Sequence, residues 1–181
     1  MSSDMNPHFN IFSFSHNDIP SPEQIKEEID DFVEDGGHVS ISGSSVEGRV
    51  NIDFDTFRPE WLKTIARKIM AEFPGGFPHD YCINAALVEV WPGSERQPMH
   101  QDGSEWQPWK FWHLFIPLTD HRAQGTTIFG NGFGPPRGCR NYIFDDQTWH
   151  YGDSNRSQFI RYVLIFVIGH KDHFTGHFPV I

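Results

Sequence analysis

The hydrophobic pattern of the first eighty residues predicts two helices with a strand hairpin between them. "SPEQIKEEIDDFVEDGG" has Ser21 in the N-cap position, Pro22 in the first helical position and acidic residues near the start, and a Gly-Gly pair stops it. "RPEWLKTIARKIMAEFPGG" repeats large apolar residues every four positions, which gives a helix one apolar face. Between them, "HVSISG" and "GRVNIDF" alternate as the strands of a hairpin do.

From residue 83 onward the pattern changes to short β-like runs separated by Gly, Pro, Asn and Asp. The runs are "INAALVEVW", "KFWHLFIPL", "TTIFG", "CRNYIFDD" and "IRYVLIFVIG". Two helices followed by many short strands predict an α+β fold, a double-stranded β-helix (a cupin-like jelly roll) buttressed by N-terminal helices. We expect one domain over 1–181, with the helical buttress at about 21–80 and the β core at about 83–170.

Composition and charge narrow the class of protein. The chain has 181 residues, of which 38% are hydrophobic, and it contains 17 Phe and 6 Trp, as a folded aromatic-rich protein does. A formal net charge of -10 argues against a nucleic-acid partner, because phosphates are bound by Lys and Arg. The first twenty residues contain no Lys or Arg and no apolar run. With only two cysteines, Cys82 and Cys139, we expect a cytoplasmic protein without a membrane span.

Three His-x-Asp sequences are candidates for a metal site, at His16–Asp18, His100–Asp102 and His170–Asp172. With 11 histidines in 181 residues, about one His-x-Asp pair is expected by chance, so the motif alone does not identify a metal site. In a strand, residues two apart point to the same side, so a pair at a strand end can bind one metal ion. A third ligand must then come from a distant strand.

Position along the chain favours the second pair. Residues 16–18 precede the predicted strands of the barrel, and only nine residues follow Asp172. His100 and Asp102 follow the run "INAALVEVW", and His150 comes 50 residues later, which leaves room for three strands. Two His and one carboxylate form the facial triad that binds Fe(II) and leaves positions open for a co-substrate and oxygen.

Arg161 lies inside an apolar run, eleven residues beyond His150. Both faces of that strand are apolar, so we expect a central strand in which a guanidinium must be paired. Its partner is either a carboxylate that arrives with a ligand, bound by two parallel hydrogen bonds, or a protein acid such as Asp145, Asp146 or Glu89.

The order "HQD", distant His and following Arg resembles the Fe(II)/2-oxoglutarate-dependent dioxygenases, and the resemblance runs from about Leu87 to His170. "FDDQTWHYGDSNRSQFIRYVLIFVIGHK" and "WHLFIPL" are most similar to the aspartyl/asparaginyl β-hydroxylase and free-amino-acid hydroxylase branch.

That resemblance implies roles for five residues. His100, Asp102 and His150 would bind Fe(II), Arg161 would bind the C5 carboxylate of 2-oxoglutarate, and His113 would lie near a carboxylate of the same co-substrate. It implies an oxygenase that uses O2 to hydroxylate an amino acid, free or as a residue in a peptide or protein, and releases succinate and CO2.

The sequence also departs from relatives of this superfamily. Phe111 stands where the branch tends to have an Arg, with Lys110 one position away, and Val167 stands where DNA-alkylation repair dioxygenases have a second Arg. Halogenating members replace the carboxylate ligand with a small residue, so Asp102 favours hydroxylation. Two alternatives stay open: a cupin-like metal-binding or sensing protein without turnover, and a nucleic-acid demethylase. The primary substrate and the oligomeric state are not specified by the sequence.

The aromatic segment "WQPWKFW" follows the predicted iron-binding pair. Trp106, Trp109, Phe111 and Trp112 could form a lid over a substrate, but core packing is the better interpretation because aromatic residues bury large areas.

Overall fold

A computed structural model describes residues 7–43, 46–103, 110–119 and 125–173. Within these ranges the chain forms two α-helices and nine strands, and none of the helices has the length and apolarity needed to cross a membrane. The elements are β1 (His8–Phe9), α1 (Pro22–Glu34), β2 (Ser40–Gly43), β3 (Arg49–Asp53), α2 (Glu60–Glu72), β4 (Tyr81–Val90), β5 (Phe111–Pro117), β6 (Thr127–Phe129), β7 (Tyr142–Asp145), β8 (His150–Gly152) and β9 (Arg161–His170).

Helix α1 begins at the predicted capping residues. The Ser21 side chain accepts a hydrogen bond from the Gln24 backbone, and the Gln24 side chain accepts one from the Ser21 backbone. This reciprocal capping satisfies two backbone donors that the first turn leaves without intrahelical partners. After the helix, Gly36 adopts φ +89°, a left-handed conformation that ends the helix and that glycine adopts without steric cost.

Seven strands form one antiparallel sheet in the order β1-β7-β5-β9-β4-β3-β2. Strand β9 lies at its centre, as predicted, and pairs with β4 over ten residues and with β5 over seven. The predicted hairpin is confirmed as β2 and β3, and β3 pairs with β4 along its whole length. The sheet therefore includes two strands from the region between the helices, with β3 along the edge of β4 that β9 does not occupy.

The two faces of β9 have different functions in the fold. Leu164, Phe166 and Ile168 are fully buried in the main hydrophobic cluster, which also contains the inward residues of α1 and α2. The alternate residues Arg161, Val163 and Ile165 face a cavity on the other side of the sheet. A smaller sheet of β6 and β8 covers that side. Helices on one face and a second sheet on the other confirm the jelly roll with a helical buttress.

Asn155 fixes the loop between β8 and β9. Its buried side-chain amide donates hydrogen bonds of 2.8 Å to the carbonyl oxygens of Val90 and Phe159, and its Oδ1 accepts from both the backbone and the hydroxyl of Ser157. One side chain thus ties the end of β4 to the loop that leads into Arg161.

We expect Asn155→Ala to lower the free energy of unfolding by about 2–4 kcal/mol, because it leaves several buried backbone groups without partners. Urea unfolding followed by circular dichroism measures this change. The neighbouring exposed Arg156→Ala is the control, and it should stay within about 0.5 kcal/mol of the parent. Equal stability of both variants would show that the loop does not depend on the amide.

Candidate active site

His100 and His150 lie side by side in paired extended segments. The backbone N–H of each donates to the carbonyl oxygen of the other at 2.9 Å, and the ring centroids are 4.6 Å apart. Further along, Gln97 and Gly152 pair through backbone and side chain. The segment before Asp102 therefore runs antiparallel to β8, and the three strands expected between the two histidines, β5, β6 and β7, are present.

Backbone carbonyls set the tautomers of both histidines. Nδ1 of His100 lies 2.8 Å from the carbonyl oxygen of Pro98, and Nδ1 of His150 lies 2.9 Å from that of Thr148. A carbonyl oxygen only accepts hydrogen bonds, so each Nδ1 carries the proton. The lone pair of each neutral ring is then on Nε2, and such outer contacts orient metal-binding histidines.

Asp102 completes a group of three ligand atoms. Its Oδ1 lies 3.5 Å from Nε2 of His100 and its Oδ2 lies 3.3 Å from Nε2 of His150, and one ligand atom from each of the three residues falls within 4.8 Å of the others. Burial favours the neutral form of Asp102, but the two imidazoles outweigh burial and hold its pKa well below the usual range. Asp102 in turn raises the pKa of His100, because only the protonated ring can donate a hydrogen bond from Nε2 to this carboxylate. The carboxylate and the two imidazole nitrogens together attract a positive charge, which a metal ion would supply.

A glycine allows the carboxylate to take this position. The N–H of Gly103 donates to the carbonyl oxygen of Asp146 at 2.9 Å, and a Cβ at position 103 would overlap the Asp146 carboxylate. Asp102 is partly exposed whereas His150 is buried, so the group opens to solvent on one side, as a metal site that admits other ligands must.

His113, on β5, lies against Asp102. Its Nδ1 is 3.3 Å from Oδ2 of Asp102, and its ring contacts the rings of Phe111 and Phe144. Burial lowers the pKa of His113 to about 4, with the Asp102 charge opposing that change. The imidazole is therefore neutral at physiological pH.

Arg161 lies at the other end of the same cavity and is buried. Its Nη2 donates to the carbonyl oxygen of Asp153 at 3.2 Å. Glu89, one of the acids considered as its partner, projects to the helical side, where it pairs with Lys26 at 2.8 Å. Asp145 accepts a hydrogen bond from the Thr148 hydroxyl.

The cavity that joins these groups has a volume of about 180 Å³. It is lined by the triad, by His113, by aliphatic residues of β4 and β9, and by a set of polar residues. Those polar residues are Arg49, Asn51, Gln97, Thr126, Thr127, Tyr142 and Arg161. Sequence reasoning missed Arg49, because polar positions of an alternating strand are ordinarily solvent-facing, and no local signal distinguishes one that faces a cavity.

The other two His-x-Asp sequences lie elsewhere. Asp18 belongs to a 3₁₀ turn and pairs with Lys68 at 2.6 Å, and His170 and Asp172 lie at the end of β9. Among the described residues, only His100, Asp102 and His150 form a group that could hold a metal ion.

Half of the aromatic segment can be placed. Phe111 is buried and Trp112 packs against Phe73 and Tyr81, so both belong to the packed interior. Trp106 and Trp109 lie outside the described residues.

Comparisons with known proteins identify the fold. No known protein family and no curated protein matches the sequence. Among solved structures, a Pseudomonas putida prolyl-4-hydroxylase is similar with a TM-score of 0.60 and 11% identity, covering 92% of each chain. The non-heme alpha-ketoglutarate-dependent carbocyclase SnoK from nogalamycin biosynthesis has a TM-score of 0.62 and 13% identity, covering 93% of this chain and 85% of that one.

A third similar structure is the viral collagen prolyl hydroxylase of Paramecium bursaria Chlorella virus-1 in its 2OG complex. Its TM-score is 0.59 at 15% identity, covering 91% of this chain and 95% of that one. The chain therefore has the jelly-roll fold of these 2-oxoglutarate-dependent oxygenases. The aspartyl/asparaginyl hydroxylase branch is not singled out by these structures and stays a prediction.

We expect Asp102→Ala and His150→Ala each to raise the dissociation constant for Fe(II) by more than about 100-fold, because loss of even an outer partner of a metal ligand costs about 10- to 100-fold. Anaerobic titration against a chromogenic chelator measures the affinity. His170→Ala, which removes a histidine of another His-x-Asp pair, is the control and should stay within about twofold of the parent. Circular dichroism should show all three variants folded. Unchanged iron affinity in both triad variants would contradict the site.

Proposed function

We propose that the protein is an Fe(II)- and 2-oxoglutarate-dependent oxygenase that hydroxylates an amino acid, free or as a residue in a peptide or protein, and releases succinate and CO2. The observation that carries this proposal is that three metal-ligand side chains and a buried Arg161 line one cavity of the jelly roll. The similar structures support the same chemistry, since two are named as prolyl hydroxylases and one as an alpha-ketoglutarate-dependent enzyme.

In this proposal His100, Asp102 and His150 hold the metal ion, and the carbonyls of Pro98 and Thr148 keep both imidazoles in the ligating tautomer. Bound iron supplies the activation of O2 that is coupled to oxidative decarboxylation of 2-oxoglutarate. These three side chains would hold the ion with a facial set of ligands of the kind that leaves room for a co-substrate and O2.

The remaining residues orient the co-substrate. Arg161 binds the C5 carboxylate, and the mutually bonded hydroxyl groups of Thr127 and Tyr142, 2.8 Å apart, line the same end of the cavity. Neutral His113 lies beside Asp102, where it can donate to a co-substrate carboxylate without adding charge to the metal site. Aliphatic residues of β4 and β9 also line the cavity, and their low polarity strengthens the charged interactions beside them.

The alternative of a metal-binding or sensing protein without turnover makes a different prediction. A protein that binds only a metal ion needs no cation buried at the far end of the cavity. Binding of 2-oxoglutarate to the iron-loaded protein therefore separates the two functions.

We expect the anaerobic Fe(II) protein to develop a metal-to-ligand charge-transfer band on titration with 2-oxoglutarate. Arg161→Met should keep Fe(II) affinity but weaken 2-oxoglutarate by about 2–4 kcal/mol, or about 30- to 1000-fold, because one partner of a buried charge pair is lost. Arg161→Lys should recover only part of the loss, since an ammonium group lacks the two-pronged geometry. Absence of the band in the parent would refute the oxygenase function. An unchanged 2-oxoglutarate affinity in Arg161→Met would show that another residue binds the C5 carboxylate.

The substrate class has its own test. We expect succinate formation above the uncoupled rate with one or more free amino acids or short peptides, and Asp102→Ala should abolish it in the same screen. A product heavier by one oxygen in the mass spectrum identifies hydroxylation. Turnover only with substrates that lack an amino acid would refute this part of the proposal.

A further inference from the structure

Arg49 is a second buried guanidinium in the cavity. It is the first residue of β3, and only 5% of its surface is exposed. It lines the same cavity as Arg161 and the metal-ligand triad. Nothing in the sequence pattern assigns it a role in ligand binding.

The register of the sheet places Arg49 and Arg161 in one row. Arg49 pairs with Val90 of β4, and Val90 pairs with Arg161 of β9. Residues directly opposite one another in antiparallel strands project from the same face, so both arginines face the cavity. With one strand between them, their Cα atoms are roughly 10 Å apart, a distance that two long side chains can close.

The two guanidinium groups meet at one backbone carbonyl. Nη2 of Arg49 donates to the carbonyl oxygen of Asp153 at 2.5 Å, and Nη2 of Arg161 donates to the same oxygen at 3.2 Å. Each group also has a glycine against its Nη1. A Cβ at Gly152 would overlap Nη1 of Arg49, and a Cβ at Gly125 would overlap Nη1 of Arg161. The absence of a side chain at these two glycines thus leaves room for two cations side by side.

The positive charge of Arg49 is not balanced by the protein groups around it. Burial, followed by the charge of Arg161, lowers the pKa of Arg49 to about 10, and only Asp153 opposes this. Carbonyl oxygens supply the hydrogen-bond acceptors of its Nη2, whereas its buried Nε has no acceptor among the described residues. Buried cations of this kind are ordinarily paired with anions.

We propose that Arg49 and Arg161 form a two-guanidinium anchor for a single carboxylate, the C5 carboxylate of 2-oxoglutarate, with Nε and Nη1 of Arg49 as additional donors. This inference rests on the proposed function, which assigns that carboxylate to Arg161 alone. Two guanidinium groups around one carboxylate offer more donors than a single fork, and they make the site selective for a ligand with a negative charge at that end.

Arg49 also has a structural function that an experiment must separate from ligand binding. Its Nη2 donates to the carbonyl oxygens of Glu95 and Gly152 at 3.1 and 2.9 Å, so it links β3 to the segment before His100 and to the end of β8. Loss of these bonds would loosen the cavity for every ligand. Loss of a carboxylate contact would affect only a ligand that carries the carboxylate.

The test compares 2-oxoglutarate with 2-oxopentanoate, which has the same carbon chain and chelating end but lacks the C5 carboxylate. Both are titrated into anaerobic Fe(II) protein while the charge-transfer band is recorded. We expect Arg49→Met to weaken 2-oxoglutarate by about 10- to 100-fold, the range for one charged hydrogen-bonding partner, with 2-oxopentanoate changed by less than about threefold. Arg49→Lys keeps a positive charge and should give an intermediate loss of affinity for 2-oxoglutarate only. It provides the same test if the Met variant does not fold.

Arg49→Met combined with Arg161→Met tests whether the two groups share one carboxylate. If they do, the loss for the double variant is smaller than the product of the single losses, because both remove contacts to the same group. Equal weakening of both ligands by Arg49→Met would overturn the inference in favour of a structural function. Unchanged 2-oxoglutarate affinity in Arg49→Met would overturn the inference too, and would indicate that Arg49 binds an anionic group of the primary substrate instead. A parent protein that binds no 2-oxoglutarate would instead refute the proposed function itself.

Discussion

The central strand β9 pairs with a strand on each side, packs one face against the helices and lines the cavity with the other face. The rest of the structure depends on these simultaneous requirements on one strand. It forms a continuous ladder with β4 and another with β5, so its backbone is fixed along its length. One face meets the two helices with fully buried Leu164, Phe166 and Ile168. The residues on the other face line the cavity, and the first of them is Arg161.

Charge is distributed along the cavity in a way that suits a dicarboxylate and a divalent cation. Three electron-pair donors lie at one end, where His100, Asp102 and His150 converge, and two guanidinium groups lie at the other. The two guanidinium groups are costly to bury side by side, because like charges repel in a medium of low polarity. A carboxylate bound between them would relieve that cost, and a cation at the first end would complement the Asp102 carboxylate.

Backbone groups hold the site together without adding charge to it. Carbonyl oxygens orient the imidazoles of His100 and His150, a carbonyl oxygen joins the two arginines, and Asn155 secures the loop on which that carbonyl lies. Glycines at positions 103, 125 and 152 allow close approach where a Cβ would overlap a neighbour. The protein thereby fixes the geometry of the site while leaving its charges available to ligands.

The sequence by itself predicted the two helices, the hairpin and the strands β4, β5, β6, β7 and β9, and it favoured His100, Asp102 and His150, which the structure brings together, over two similar pairs. These features depend on local spacing and chain order, which sequence records directly. Strand β1 has two residues, too few for a periodic pattern to show, and β8, although as long as β6, has the sequence His-Tyr-Gly where β6 has the strand-favouring Thr-Ile-Phe. The position of Arg49 in the cavity was decided by the tertiary structure alone, because a strand that faces water and a strand that faces a cavity have the same alternating pattern. Only the pairing of β3 with β4, beneath the smaller sheet, encloses that side chain and brings it to the carbonyl that Arg161 also contacts.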